Sequence, residues 1–129
     1  MSQEIILDTS VLIRFFTRDD ESKAKKVKTL LESEHNLILI ESVLQELVFT
    51  LLKVYSLTKE QVEEILQFLL SRVNIVCSAE IRAAVRMYEE SAVSITDCLV
   101  LAHGKKKKVA TYDMKLRKLA GKKSQYTDL

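Results

Sequence analysis

The 129-residue chain has no proline and no tryptophan, and only two glycines, two cysteines and two histidines. Without proline and with so little glycine, there is no linker to join separate domains, so one domain spanning 1–129 is expected. Two cysteines, Cys77 and Cys98, make no disulfide framework, which fits a reducing, cytoplasmic setting. No apolar run reaches membrane-spanning length and no signal-peptide pattern opens the chain, so no membrane partner is expected. There is no glycine-rich phosphate loop and no Gly-x-Ser-x-Gly elbow. His35 and His103 stand far apart, which leaves a zinc site or a histidine base without support. His103 suits a helix C-terminus, and Cys98 suits a core.

Apolar residues make up 47% of the chain and charged residues 29%, an ordinary soluble balance. The net charge of +2 is unevenly spread. Residues 1–103 carry 11 basic and 16 acidic side chains, whereas residues 104–123 carry nine basic and one acidic. A local positive field of that kind suits a polyanion or an acidic protein, or is simply a solvated helix end.

Short apolar runs alternate with helical patterns. Strands are expected at Gln3–Leu7, Leu37–Ile40, Val73–Val76 and Val109–Thr111, as unbroken apolar runs of the kind found in a parallel sheet with both faces covered. Between them, Asp8 caps a helix from Thr9 to about Thr17, and Asp19 and Asp20 open a second to about Ser33. Ser42 with Gln45 reads as a capping box for a third helix to about Tyr55, and Thr58 with Gln61 for a fourth to Leu70. Ser78 starts a fifth helix to about Glu90. Ser94 with Asp97 starts a sixth, which Gly104 closes as a C′ residue. Asp113 caps the last, to about Ala120, which ends at Gly121. The fold class is α/β.

The carboxylates are the groups left for chemistry. Asp8 and Asp113 have a local reading as N-caps, and Asp97 as the partner of Ser94. Glu46 falls outside the capping role, at the rim of the sector formed by Val43, Leu47, Leu51 and Val54. Strand order adds that Asp8, Glu46 and Asp113 follow the first, second and fourth strands. All three should then meet at one edge of a parallel sheet, where ligands bind. Clustered carboxylates repel one another unless a cation joins them, and Mg²⁺ or Mn²⁺ prefers oxygen ligands. Strand order does not place Asp97.

Four segments in order resemble the PIN-domain family of the virulence-associated protein C (VapC) type. They are Leu7-Asp8-Thr9-Ser10-Val11-Leu12-Ile13-Arg14-Phe15 with Arg18-Asp19-Asp20, then Glu41–Leu47, Thr96–Ala102 and Thr111-Tyr112-Asp113. The resemblance covers nearly the whole chain. Ser10 stands where asparagine is common, and Glu21 where a proline often follows the Asp-Asp pair. The resemblance implies a three-layer fold with a central parallel sheet of four or five strands flanked by helices, usually dimeric. It implies a metal-dependent endoribonuclease that leaves a 5′-phosphate and a 3′-hydroxyl. Asp8, Glu46, Asp97 and Asp113 match the family's acidic quartet. Asp8, Asp97 and Asp113 would hold Mg²⁺ or Mn²⁺, and Glu46 would complete the site or orient water. Thr9, Ser42 and Thr111 stand beside these acids, or serve only local backbone bonds. Lys105, Lys106, Lys107, Lys108 and Lys115, within a basic stretch to Lys123, would track RNA. Many small members are toxins held by an antitoxin. Such a partner calls for an exposed apolar groove, for which Leu47–Leu52 and Ile65–Leu70 are candidates unless they form core or a homodimer contact. The alternatives are a PIN fold that binds RNA or protein without catalysis, and a phospho-accepting regulatory domain. The latter is disfavoured because Thr9, not a second acid, follows Asp8.

Overall fold

The computed structural model describes residues 2–120 and the short strand Tyr126–Thr127. The chain divides into two compact units, Met1–Ser78 and Ala79–Leu129, each with its own architecture.

The first unit runs β1 (Glu4–Ile6), α1 (Thr9–Thr17), α2 (Glu21–Leu31), β2 (Asn36–Ile38), α3 (Glu41–Lys53), α4 (Lys59–Ser71) and β3 (Ile75–Val76). Its strands form a parallel sheet in the order β1-β2-β3, with Ile5 opposite Leu37 and Leu37 opposite Ile75. Parallel neighbours need a crossover, and a helix pair supplies each one. The strands are shorter than the apolar runs suggest. Their ladder continues one residue further, through Leu7 N–H to Ile38 O and Leu39 N–H to Val76 O, each 2.9 Å. Successive residues point to opposite faces. Leu37 and Ile75 are buried in one row, whereas Ile6 and Val76 in the other are 64% and 43% exposed. Leu12, Leu44, Leu47, Leu51, Leu66 and Leu69 have no exposed surface and form the helical side of the core.

Local chemistry starts most of these helices. Asp8 caps α1 by accepting from Ser10 N–H, and Asp20 caps α2 by accepting from Lys23 N–H. Thr58 and Gln61 form the expected reciprocal box on α4. Helix α3 departs from expectation. Its N-cap is Ile40, with no side-chain cap bond, so Ser42 lies inside the first turn and does not cap. Leu39 N–H still belongs to the sheet and Leu44 N–H already bonds Ile40 O, which leaves no room for a later start.

Asp19 is not part of a helix start. It accepts from the Arg14 guanidinium at 3.0 Å and from the Tyr55 hydroxyl at 3.1 Å, tying the end of α1 to the end of α3. The Arg14 hydrogen bond, aided by Tyr55, holds its carboxyl below the ordinary carboxylate range. A group with a depressed folded pKa stabilises the fold above its unfolded value, and that contribution disappears as pH falls through the folded value. Asp19→Asn should therefore lower the denaturation midpoint at neutral pH and narrow the gap from wild type in strong acid. Urea titrations at pH 7 and pH 3 check this.

The second unit runs α5 (Ala79–Glu90), α6 (Ile95–His103), β4 (Val109–Ala110), α7 (Met114–Ala120) and β5 (Tyr126–Thr127). Helix α5 buries Ile81, Ala84, Val85 and Tyr88, and α6 buries Ile95, Cys98, Leu99 and Ala102. Strands β4 and β5 pair in parallel as a two-stranded ladder. The α/β architecture with parallel strands is as expected, with the described strands divided between two ladders. Asp113 follows a strand of the second ladder, so strand order alone does not bring it to the edge shared by Asp8 and Glu46. Cys77 and Cys98 are both free thiols. Residue 121, expected to end α7, lies outside the described residues.

Gly104 has a role other than the one its position suggests. It follows α6 in a right-handed conformation, φ −68°, not the left-handed one. A Cβ there would lie 2.5 Å from Val109 Cγ2 and 3.3 Å from Leu101 O. The absence of a side chain lets β4 pack against the helix end. Gly104→Ala should destabilise the fold by about 1–3 kcal/mol, the usual cost of forcing extra volume into a packed site. Chemical denaturation measures it.

Candidate active site

Asp8 stands where β1 passes into α1. Leu7 before it is buried and bonded to β2, and Thr9 after it is buried at 4% exposure, so its backbone is held on both sides. Its own conformation is extended, and its side chain is exposed. Oδ2 accepts from Ser10 N–H at 3.1 Å and from the Ser10 hydroxyl at 2.5 Å. The Ser10 hydroxyl, then its N–H, holds the Asp8 carboxyl below the usual range. Ser10, which stands where asparagine is common in the resembling family, thus bonds the carboxylate directly. The Asp-x-Ser spacing, a common turn pattern in which a side chain bonds backbone two residues on, was the signal for this bond.

Glu46 lies in the second turn of α3 and is exposed, between the buried Val43 and Leu47. Asp8 and Glu46 therefore belong to helices that start after adjacent parallel strands, the ligand-binding side of an open α/β sheet. Ser42 is exposed in the first turn of the same helix.

In the second unit, Asp97 is half-buried in the first turn of α6. The cap bond there is made by its N–H, which donates to Ser94 Oγ at 3.2 Å. Asp113 caps α7 as expected: its Oδ1 accepts from Lys115 N–H at 2.8 Å and Leu116 N–H at 3.2 Å. Its own N–H donates to Thr111 Oγ1 at 3.0 Å, and Arg117 Nε donates to Thr111 O at 2.8 Å. Thr111 is therefore the residue that shapes the turn carrying Asp113. Arg117, which completes that turn, was not singled out from the sequence, where it is one of many basic residues. Lys105, Lys106, Lys107, Lys108 and Lys115 are all exposed.

Each unit thus holds two of the four carboxylates. Among the described residues, no group of three or more His, Cys, Asp or Glu side chains gathers closely enough to hold a metal ion. His35 is structural: its Nδ1 accepts from Gln3 N–H at 3.0 Å, beside the start of β1.

A family model for the PIN domain matches residues 5–122. The chain belongs to the PIN-domain family. The match runs through both units and takes in all four carboxylates. A VapC ribonuclease of Aquifex aeolicus (strain VF5) is 28% identical over 126 residues, 91% of this chain and 93% of that protein. Among the described residues of this PIN domain, no helix is long and apolar enough to cross a membrane.

Proposed function

We propose that this PIN-domain protein is a divalent-metal-dependent endoribonuclease and the toxin of a toxin–antitoxin pair. The observation that carries the reading is the near-full-length likeness to a VapC ribonuclease in a chain that retains Asp8, Glu46, Asp97 and Asp113. The donor chemistry fits Mg²⁺ or Mn²⁺, because every candidate ligand is a carboxylate oxygen. Asp8, Asp97 and Asp113 would be the ligands, and the ion would acidify a bound water and stabilise charge on the phosphate. Glu46 would orient the attacking water. Ser10 bonds the Asp8 carboxylate through its hydroxyl and its N–H, and Thr111 sets the turn from which Asp113 projects. The exposed lysines from Lys105 to Lys108 would hold the RNA backbone.

The antitoxin would dock at an open cavity of about 430 Å³ between α1 and α4, lined by Phe15, Phe16, Leu57, Ile65 and Phe68 among others. Phe15 and Phe68 stack at 5.9 Å between ring centroids, and the Arg18 guanidinium lies over Phe15. Leu47 and Leu51 are core, so the groove draws on the Ile65–Leu70 stretch and α1. Phe49 and Val54, 61% and 67% exposed, suit a homodimer contact. The two free thiols fit a reducing cytoplasm.

Incubation of a structured RNA with Mn²⁺, and separately with excess chelator, tests the enzymatic reading. Cleavage is expected only with the cation and should return when Mg²⁺ or Mn²⁺ is restored. Cleavage that persists in chelator, or tight binding with no cleavage under either metal, would overturn it.

A further inference from the structure

We infer that the cavity between α1 and α2 seats an RNA phosphate neighbouring the scissile one, with Lys23 and Lys26 as positioning residues. This rests on the ribonuclease reading above. The cavity has a volume of about 270 Å³ and is lined by Ser10, Val11, Arg14, Lys23, Lys26 and Val27. At about 30 Å³ per water it holds roughly nine waters, room for a phosphodiester with part of its hydration. It falls short of the ~300–1,000 Å³ typical of pockets for drug-sized ligands.

Its position relates it to the chemistry. Ser10, on its wall, is the residue whose hydroxyl and N–H both bond Asp8. A phosphate seated there lies one side chain away from a candidate metal ligand. Its charge gives the ligand class. Of the three cations, Arg14 is already paired with Asp19 at 3.0 Å. Lys23 and Lys26 are exposed and make no ion pair among the described residues, so the charge open to a ligand is theirs. They stand three residues apart on α2, the spacing that puts two side chains on one face. Lys25 and Lys28, on the same helix, do not line the cavity. A merely solvated lysine face would make all four equivalent, whereas a phosphate seat singles out two.

The test compares Lys23→Gln/Lys26→Gln with Lys25→Gln/Lys28→Gln. Binding of a fluorescent single-stranded RNA is followed by anisotropy across salt in the presence of chelator, and cleavage is followed in Mn²⁺. Each phosphate no longer neutralised should flatten the log–log salt slope by about 0.7. The first pair should show that change for one phosphate, with a raised KM, unchanged kcat and an unaltered melting temperature, and the second pair should match wild type. Equal effects of the two pairs would overturn the inference, as would a first pair that loses binding to polyglutamate but keeps binding to RNA. A wild-type protein that cleaves RNA while the first pair is unaffected defeats this inference alone. A wild-type protein that neither binds nor cleaves RNA defeats the ribonuclease reading and the inference together.

Discussion

Asp8→Asn should abolish RNA cleavage while leaving the melting temperature close to that of wild type. On the ribonuclease reading the residue would have two separable roles. As the N-cap of α1 it needs only a side-chain oxygen that accepts from Ser10, and asparagine caps about as well as aspartate. As a proposed metal ligand it would need its charge, on a carboxylate that the Ser10 hydroxyl bonds directly. Asparagine keeps the first role and removes the second. Changing a group that only supports a metal ligand typically costs about 10–100-fold, so losing the ligand itself should exceed that range. Ser10→Ala, which removes the hydroxyl bond but not the carboxylate, should fall within it. Asp8→Ala removes the cap as well and should lower both activity and melting temperature. Initial cleavage rates in Mn²⁺ beside thermal melts separate the three variants. A rate for Asp8→Asn near that of wild type would reduce Asp8 to a cap and withdraw it from the chemistry.

How far the sequence could be read depended on the range of the interactions involved. Helix starts set by a side chain and a backbone N–H two or three residues away were legible, as at Asp8, Thr58, Ser94 and Asp113. Ser42 and Gln45 carry the same pattern, but there the outcome was decided by a partner far along the chain. The pairing of Leu39 with Val76 sets where the strand lets go, and the helix begins at once. Gly104 shows the same limit, since its reason lies five residues ahead in Val109. Pairing of β4 with β5 was likewise invisible, because an apolar run does not name its neighbour. Asp19 looked like a helix-start acid, and Tyr55 gave no sign in the sequence that it was a partner. For the candidate site, strand order reaches only part of the set. Strand order accounts for Asp8 and Glu46 and leaves Asp97 and Asp113 to the family likeness.

Replacement of Lys105, Lys106, Lys107 and Lys108 by glutamine should be the most damaging change to RNA binding. All four are exposed and contiguous, just beyond α6. If each neutralises one phosphate of a single strand, together they contribute about 2.8 to the log–log salt slope. Raising salt from about 50 to 200 mM, a fourfold step, would then cost wild type about 50-fold in affinity through this run alone. The glutamine variant should lack that component, binding weakly at low salt and losing affinity less steeply as salt rises. Lys115→Gln, a single exposed lysine on α7, should remove only about 0.7. Anisotropy with the same RNA in chelator gives both slopes free of cleavage. A solvated helix end would leave the slope unchanged, and the RNA path would then have to run over the α1–α2 side of the first unit, where Lys23 and Lys26 stand.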